Sequence, residues 1–103
     1  MRLISRDKLK KKLDEKHDFK LVMTLSHLHY KAKHIPESIH IDTPEKAKKI
    51  LKLDDEIVVY CSDINCSSSQ IMYHALVENG CTNVCRYAGG ISDWEEAGFP
   101  LGP

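Results

Sequence analysis

The sequence predicts an α/β domain built on a mainly parallel sheet, and two patterns predict it. Short β-branched runs alternate with helical spacings along the whole chain, the order that lays parallel strands side by side with crossover helices between them. The strand candidates are near-continuous in apolar residues rather than alternating, as strands covered on both faces are. Size agrees: 103 residues, 42% hydrophobic and 29% charged, suit one compact domain over residues 1–103. Fifteen Lys plus Arg balance fifteen Asp plus Glu, so no overall field draws the chain to nucleic acid or to an anionic membrane. Met1 to Lys8 has no apolar core of a leader peptide, and no window reaches the roughly eighteen apolar residues of a membrane span. The expected compartment is therefore the cytoplasm, where four cysteines read as free, metal-bound or catalytic rather than as structural disulfides.

Each element follows from local chemistry. Leu3-Ile4 is a short apolar start, and Ser5 caps a helix over Arg6 to Lys16 that has Leu9 and Leu13 one turn apart. Its lysines have no interleaved aromatics and read as a solvated face. Phe19 to Leu25 is a mostly buried strand, and Ser26 to Ala32 holds one or two helical turns. His27, His29, His34 and His40 match no compact zinc spacing, so no metal is expected there. Ile39 and Ile41 share a face of a short strand after the Ile35-Pro36 turn. Thr43-Pro44 starts a helix with a hydroxyl at N-cap and proline at N1, and Ala47, Ile50 and Leu51 form its apolar stripe. Ile57 to Tyr60 is a central strand. Ile71, Met72, Ala75 and Leu76 give the next helix its apolar face, with Gly80 as the C′ glycine. Thr82 to Tyr87 is the last strand, Gly89-Gly90 a backbone turn, and Ile91 to Ala97 a short helix carrying Trp94.

The chemistry concentrates in Ile57 to Ser69. The central strand delivers Cys61 at its end, a polar loop of Ser62, Asp63, Ile64 and Asn65 leads to Cys66, and Ser67, Ser68 and Ser69 open a helix. In parallel sheets ligands bind at the carboxyl ends of strands, and the N–H groups of such a loop and helix start lower a thiol pKa and bind anions. Cys61 holds the strand end and Cys66 the place nearer the helix dipole. Cys81 and Cys85 read as small apolar filler, and a zinc site shared with the loop cysteines conflicts with placing Cys85 within a strand. Arg86 reads as a surface charge, His74 as solvated, and Trp94 and Tyr73 as packing.

His34-Ile35-Pro36, Val58-Val59-Tyr60-Cys61, Asn83-Val84, Gly89-Gly90-Ile91, Trp94 and Ala97-Gly98-Phe99-Pro100 occur in the order found in rhodanese-like domains, which the chain resembles over nearly its whole length. The resemblance implies a three-layer domain whose five-stranded, mainly parallel sheet is covered by helices on both faces. It implies a cysteine that accepts sulfane sulfur as a persulfide and passes it to a thiophilic acceptor. Cys61 matches the family cysteine and Ser69 the start of the following helix. The family loop runs Cys-x-x-Gly-x-Arg-Ser, whereas Cys61 to Ser69 is two residues longer and holds neither glycine nor arginine. The added width resembles phosphatase and arsenate-reducing relatives, but their anion-gripping arginine is absent. Where family members often carry Asp-Val-Arg, this chain has Met23-Thr24-Leu25.

The expectation is thus a sulfurtransferase or persulfide carrier with Cys61 as nucleophile and Cys66 as alternative nucleophile or resolving thiol. Ser62, Asp63, Ile64, Asn65, Ser67, Ser68 and Ser69 would line its anion-binding loop. The expected partners are a small sulfur donor and an acceptor thiol, which a protein can supply. The chain is expected to act as a monomer without cofactor, metal, nucleic acid or membrane. The alternatives are a catalytically silent binding module and a two-cysteine redox or arsenate-type enzyme.

Overall fold

The computed structural model describes residues 1–102. The elements run α1 (Arg6–Asp14), β1 (Lys20–Met23), α2 (His27–Ala32), β2 (Ile39–His40), α3 (Pro44–Ile50), β3 (Glu56–Tyr60), α4 (Ser68–Glu78), β4 (Asn83–Tyr87) and α5 (Gly90–Glu96). The strands lie in the order β2-β1-β3-β4 and every pair is parallel, with Met23 opposite Tyr60 and Tyr60 opposite Tyr87.

The helix starts at Ser5 and Thr43 follow the predicted caps, and Ser26, expected within its helix, caps α2 instead. The side chains of Ser5, Ser26 and Thr43 accept from the N–H groups of Lys8, His29 and Lys46, and Pro44 fills the first turn of α3. Gly80 follows the C-cap of α4 at φ +103°, a conformation other residues rarely adopt.

The helices cover both faces of the sheet. On one face Val22, Ile57, Val59 and Val84 pack against Ala47 and Leu51 of the α3 segment and Met72 and Leu76 of α4, with Cys81 in the same cluster. On the other, Leu21, Met23, Val58, Tyr60 and Tyr87 meet Leu9 of α1 and Ile91 and Trp94 of α5, and Cys85 lies against this second cluster. Cys81, which precedes β4, and Cys85, within it, therefore stand on opposite faces of the sheet. Among the described residues no group of three or more His, Cys, Asp or Glu is arranged to hold a metal, and no helix is long and apolar enough to cross a membrane.

The implied five-stranded sheet is corrected to four strands. Leu3 makes a single parallel bridge to Arg86, closed by Ile4 N–H to the Arg86 carbonyl at 3.1 Å and Arg86 N–H to the Arg2 carbonyl at 2.9 Å. Ser5 then turns the chain into α1, so the first segment leaves the sheet edge before a strand can form. Two stripe residues also differ. Ile50 and Ile71 are 56% and 60% exposed, because α3 and α4 turn Ala47, and Ser69, Met72 and Leu76, to the sheet instead.

Candidate active site

β3 ends at Tyr60, and Cys61 follows at the carboxyl edge of the sheet, buried at 1% exposure. The loop folds back on itself through an Asx turn. The Asp63 carboxylate accepts from Asn65 N–H at 2.9 Å and the Asp63 carbonyl from Cys66 N–H at 3.1 Å. Ile64, Asn65 and Ser67 are left exposed, and Ser62, Asp63, Cys66 and Ser68 half-buried.

The two loop sulfurs sit in different chemistry. The Cys61 thiol lies 3.3 Å from the Ser69 hydroxyl oxygen and 3.7 Å from the Cys66 carbonyl, both acceptors beneath the loop. Cys66 Sγ lies 3.3 Å from Ser68 Oγ. Burial pushes the Cys66 thiol up, but donation by the Cys61 thiol, the Ser68 hydroxyl and the N–H groups of Ser68 and Ser62 outweighs it and holds the group at about 7. α4 has no side-chain cap at Ser67, so its first N–H groups remain unclaimed by a cap. The Cys81 thiol, by contrast, is pushed up by burial and by Asp55.

Three residues outside the predicted loop complete the site. Thr24 is buried and its hydroxyl lies 3.2 Å from the Tyr60 carbonyl and 2.9 Å from Ser68 Oγ, which extends the Ser68–Cys66 contact into the sheet. Gly90, at φ +62°, brings the start of α5 against the loop, where Ile91 N–H and Ser92 N–H donate to the Cys61 and Ser62 carbonyls at 3.0 and 2.8 Å.

Arg86, expected at the surface, is 5% exposed. Its Nε donates to Ser69 Oγ at 2.9 Å and one terminal nitrogen to the Cys66 and Ile64 carbonyls at 3.3 and 3.4 Å. Strand alternation held the signal: Arg86 shares the α4-facing side with buried Val84, and its register partner Val59 lies two residues before Cys61. A long side chain on that face, near the carboxyl end, reaches the loop.

Beside the loop, Met23, Leu25, Ala32 and Ile91 with Ser62, His29 and Lys33 line an apolar recess of about 110 Å³. Roomier hollows of about 480 and 510 Å³ lie around Glu56 and Asn83, at the amino ends of β3 and β4, where charged side chains line them. The cysteines are at the opposite end, so size does not mark the reactive site here.

A family model described as "Rhodanese-like domain" matches residues 5–97. No curated protein sequence matches the chain. Solved structures do. A Bacillus halodurans protein superposes with a TM-score of 0.89 at 21% identity, covering 98% of this chain and 76% of that one. A rhodanese-related protein of Thermoplasma volcanium gives 0.80 at 24% identity, covering 99% and 98%. A thiosulfate sulfurtransferase of Pseudomonas aeruginosa gives 0.84 at 19% identity, covering 99% of this chain and 20% of that one. At such identities the likeness is one of fold.

Proposed function

The chain belongs to the rhodanese-like domain family, and on that premise we propose that it is a persulfide-forming sulfurtransferase whose sulfur is carried on Cys66. The observation that carries this reading is the contrast between the two loop thiols. Cys66 is half-buried and held at about 7 by four donors, so it is substantially thiolate at neutral pH, whereas Cys61 is buried and acts on it as a donor.

In the first step the Cys66 thiolate attacks the outer sulfur of a donor such as thiosulfate. The donor's S–S bond breaks, an S–S bond to Cys66 forms, and sulfite leaves with the electron pair. In the second step an acceptor thiolate attacks the outer persulfide sulfur and regenerates the Cys66 thiolate. The N–H groups of Ser62 and Ser68 face the sulfur on which charge rests between the steps. Ser62 also edges the apolar recess, whose lining of Met23, Leu25, Ala32 and Ile91 beside His29 and Lys33 supports an acceptor thiol with a small uncharged portion. The family's strand-end position favours Cys61 as a second candidate for the carrier.

Mass spectrometry of protein treated with thiosulfate or polysulfide tests the proposal. The expected result is a one-sulfur increment retained in Cys61→Ser and lost in Cys66→Ser. Retention in Cys66→Ser with loss in Cys61→Ser transfers the role to Cys61. Absence of any increment, with no transfer to cyanide or thiol acceptors, leaves a binding module.

A further inference from the structure

Arg86 is the buried charge that the sulfur chemistry above does not use. Among the described residues it belongs to none of the ion pairs, which are formed by Arg6, Lys10, Lys12, His17, Lys33 and Lys46. An enclosed guanidinium is tolerated only where its hydrogens meet acceptors. Its acceptors here are the Ser69 hydroxyl, the Cys66 carbonyl and the Ile64 carbonyl, all belonging to the loop or the first turn of α4.

We infer that Arg86 is the positioning residue of the sulfur loop, holding both ends of the Cys66–Ser69 segment on one planar group so that Ser68 and the Cys61 thiol are presented to the Cys66 sulfur. Two geometric facts carry this. First, the residues between the two anchored groups are Ser67 and Ser68, and the Ser68 hydroxyl lies 3.3 Å from the sulfur. A rigid fork spanning the Cys66 carbonyl and the Ser69 side chain fixes the aim of what lies between. Across the trans Cys66–Ser67 peptide, the carbonyl held by Arg86 also turns the Ser67 N–H away from it.

Second, Arg86 and the Cys61 thiol share two acceptors, Ser69 Oγ and the Cys66 carbonyl. Cys61 has a single hydrogen to give. Arg86 donates to both oxygens and so weakens each as an acceptor for Cys61, whose hydrogen is shared between them and the Cys66 sulfur. Without Arg86, the two oxygens draw that hydrogen more strongly away from the sulfur. Arg86 thus does from β4 the organising work for which this loop has no arginine of its own. The charged and titratable neighbours of Cys66 in this account are Cys61 at the end of β3, Asp63 within the loop and Arg86 on β4.

The inference rests on the proposal that Cys66 is the reactive sulfur, and the test separates the two. The Cys66 thiol is titrated by pH-dependent alkylation with mass-spectrometric assignment in the unmodified chain, Arg86→Gln and Arg86→Lys. Arg86→Gln is expected to raise the midpoint by about one unit, a tenfold fall in the thiolate-to-thiol ratio, with Arg86→Lys in between. Folding is checked by circular dichroism. Should Arg86→Gln not fold, Ser69→Ala removes one anchor, and a smaller rise in the same direction is expected. A Cys66 midpoint unchanged in every folded variant, or ordinary in the unmodified chain, overturns the inference. A shifted midpoint in a protein that never forms a persulfide overturns the sulfur-transfer proposal and leaves this one standing.

Discussion

Gly90 shows how one residue ties an element to the loop. A Cβ there would lie 2.4 Å from the Cys61 carbonyl oxygen and 2.9 Å from that of Ser62, and φ is +62°. Neither neighbour is the end of a flexible side chain, so the overlap can be relieved only by moving backbone. Gly90→Ala is expected to lower stability by about 2–5 kcal/mol, combining left-handed strain with overpacking. Gly98 is the control: φ is +78° but nothing lies within 4 Å, so Gly98→Ala should lose only the conformational part, roughly 1–2 kcal/mol. Equal urea midpoints for the two variants would show that α5 does not press on the loop. At this scale the sequence was partly legible. Cys61, Cys66 and the serines declared themselves by residue type, and Cys81 proved the buried filler it resembled. The close approach at Gly90 and the role of Thr24 were illegible, because each depends on a partner far along the chain.

Among the elements, α5 is fastened by one side chain. Trp94 is 1% exposed, meets Tyr87 and Phe99 edge-on at centroid distances of 6.1 and 4.8 Å, and donates from Nε1 to the Pro100 carbonyl at 2.8 Å. Because α5 also supplies the N–H groups that hold Cys61 and Ser62, loosening it should reach the site. Trp94→Ala is expected to lose about 3–5 kcal/mol and to slow Cys66 alkylation at neutral pH. A destabilised variant whose Cys66 titration is unmoved would separate α5 packing from the loop. Caps and strand runs made the elements readable: Ser5 and Thr43 cap the helices they announce. Ends and edges were less readable. The fifth strand implied by the resemblance shrinks to the Leu3 bridge, and Arg86 exchanges the expected surface for the space beneath the loop.

For the whole molecule, pH dependence follows from groups whose folded pKa lies below its ordinary value. Lys46 holds the Asp42 carboxyl down, and at Glu56 the upward push of burial is outweighed by Lys12 and His17. A depressed acid binds fewer protons folded than unfolded, so its contribution is present above the unfolded pKa and lost as pH falls through the folded one. Urea midpoints should therefore fall from neutral pH through the carboxylate range. The same rule applied to Cys66, at about 7 when folded against about 8.5 for a free thiol, gives stability that rises across that interval and disappears in Cys66→Ser. A midpoint flat across the interval would show that the thiol is not depressed in the fold. The sequence by itself determined the order of strands and helices, the parallel sheet and the loop bearing two cysteines, because periodicity, caps and β-branched runs act between near neighbours. Only the tertiary structure decided which sulfur is buried, where the loop's cation comes from and how closely Gly90 approaches. Those outcomes depend on β3, β4, α4 and α5 meeting at one edge of the sheet, where residues distant in the chain share the same few acceptors.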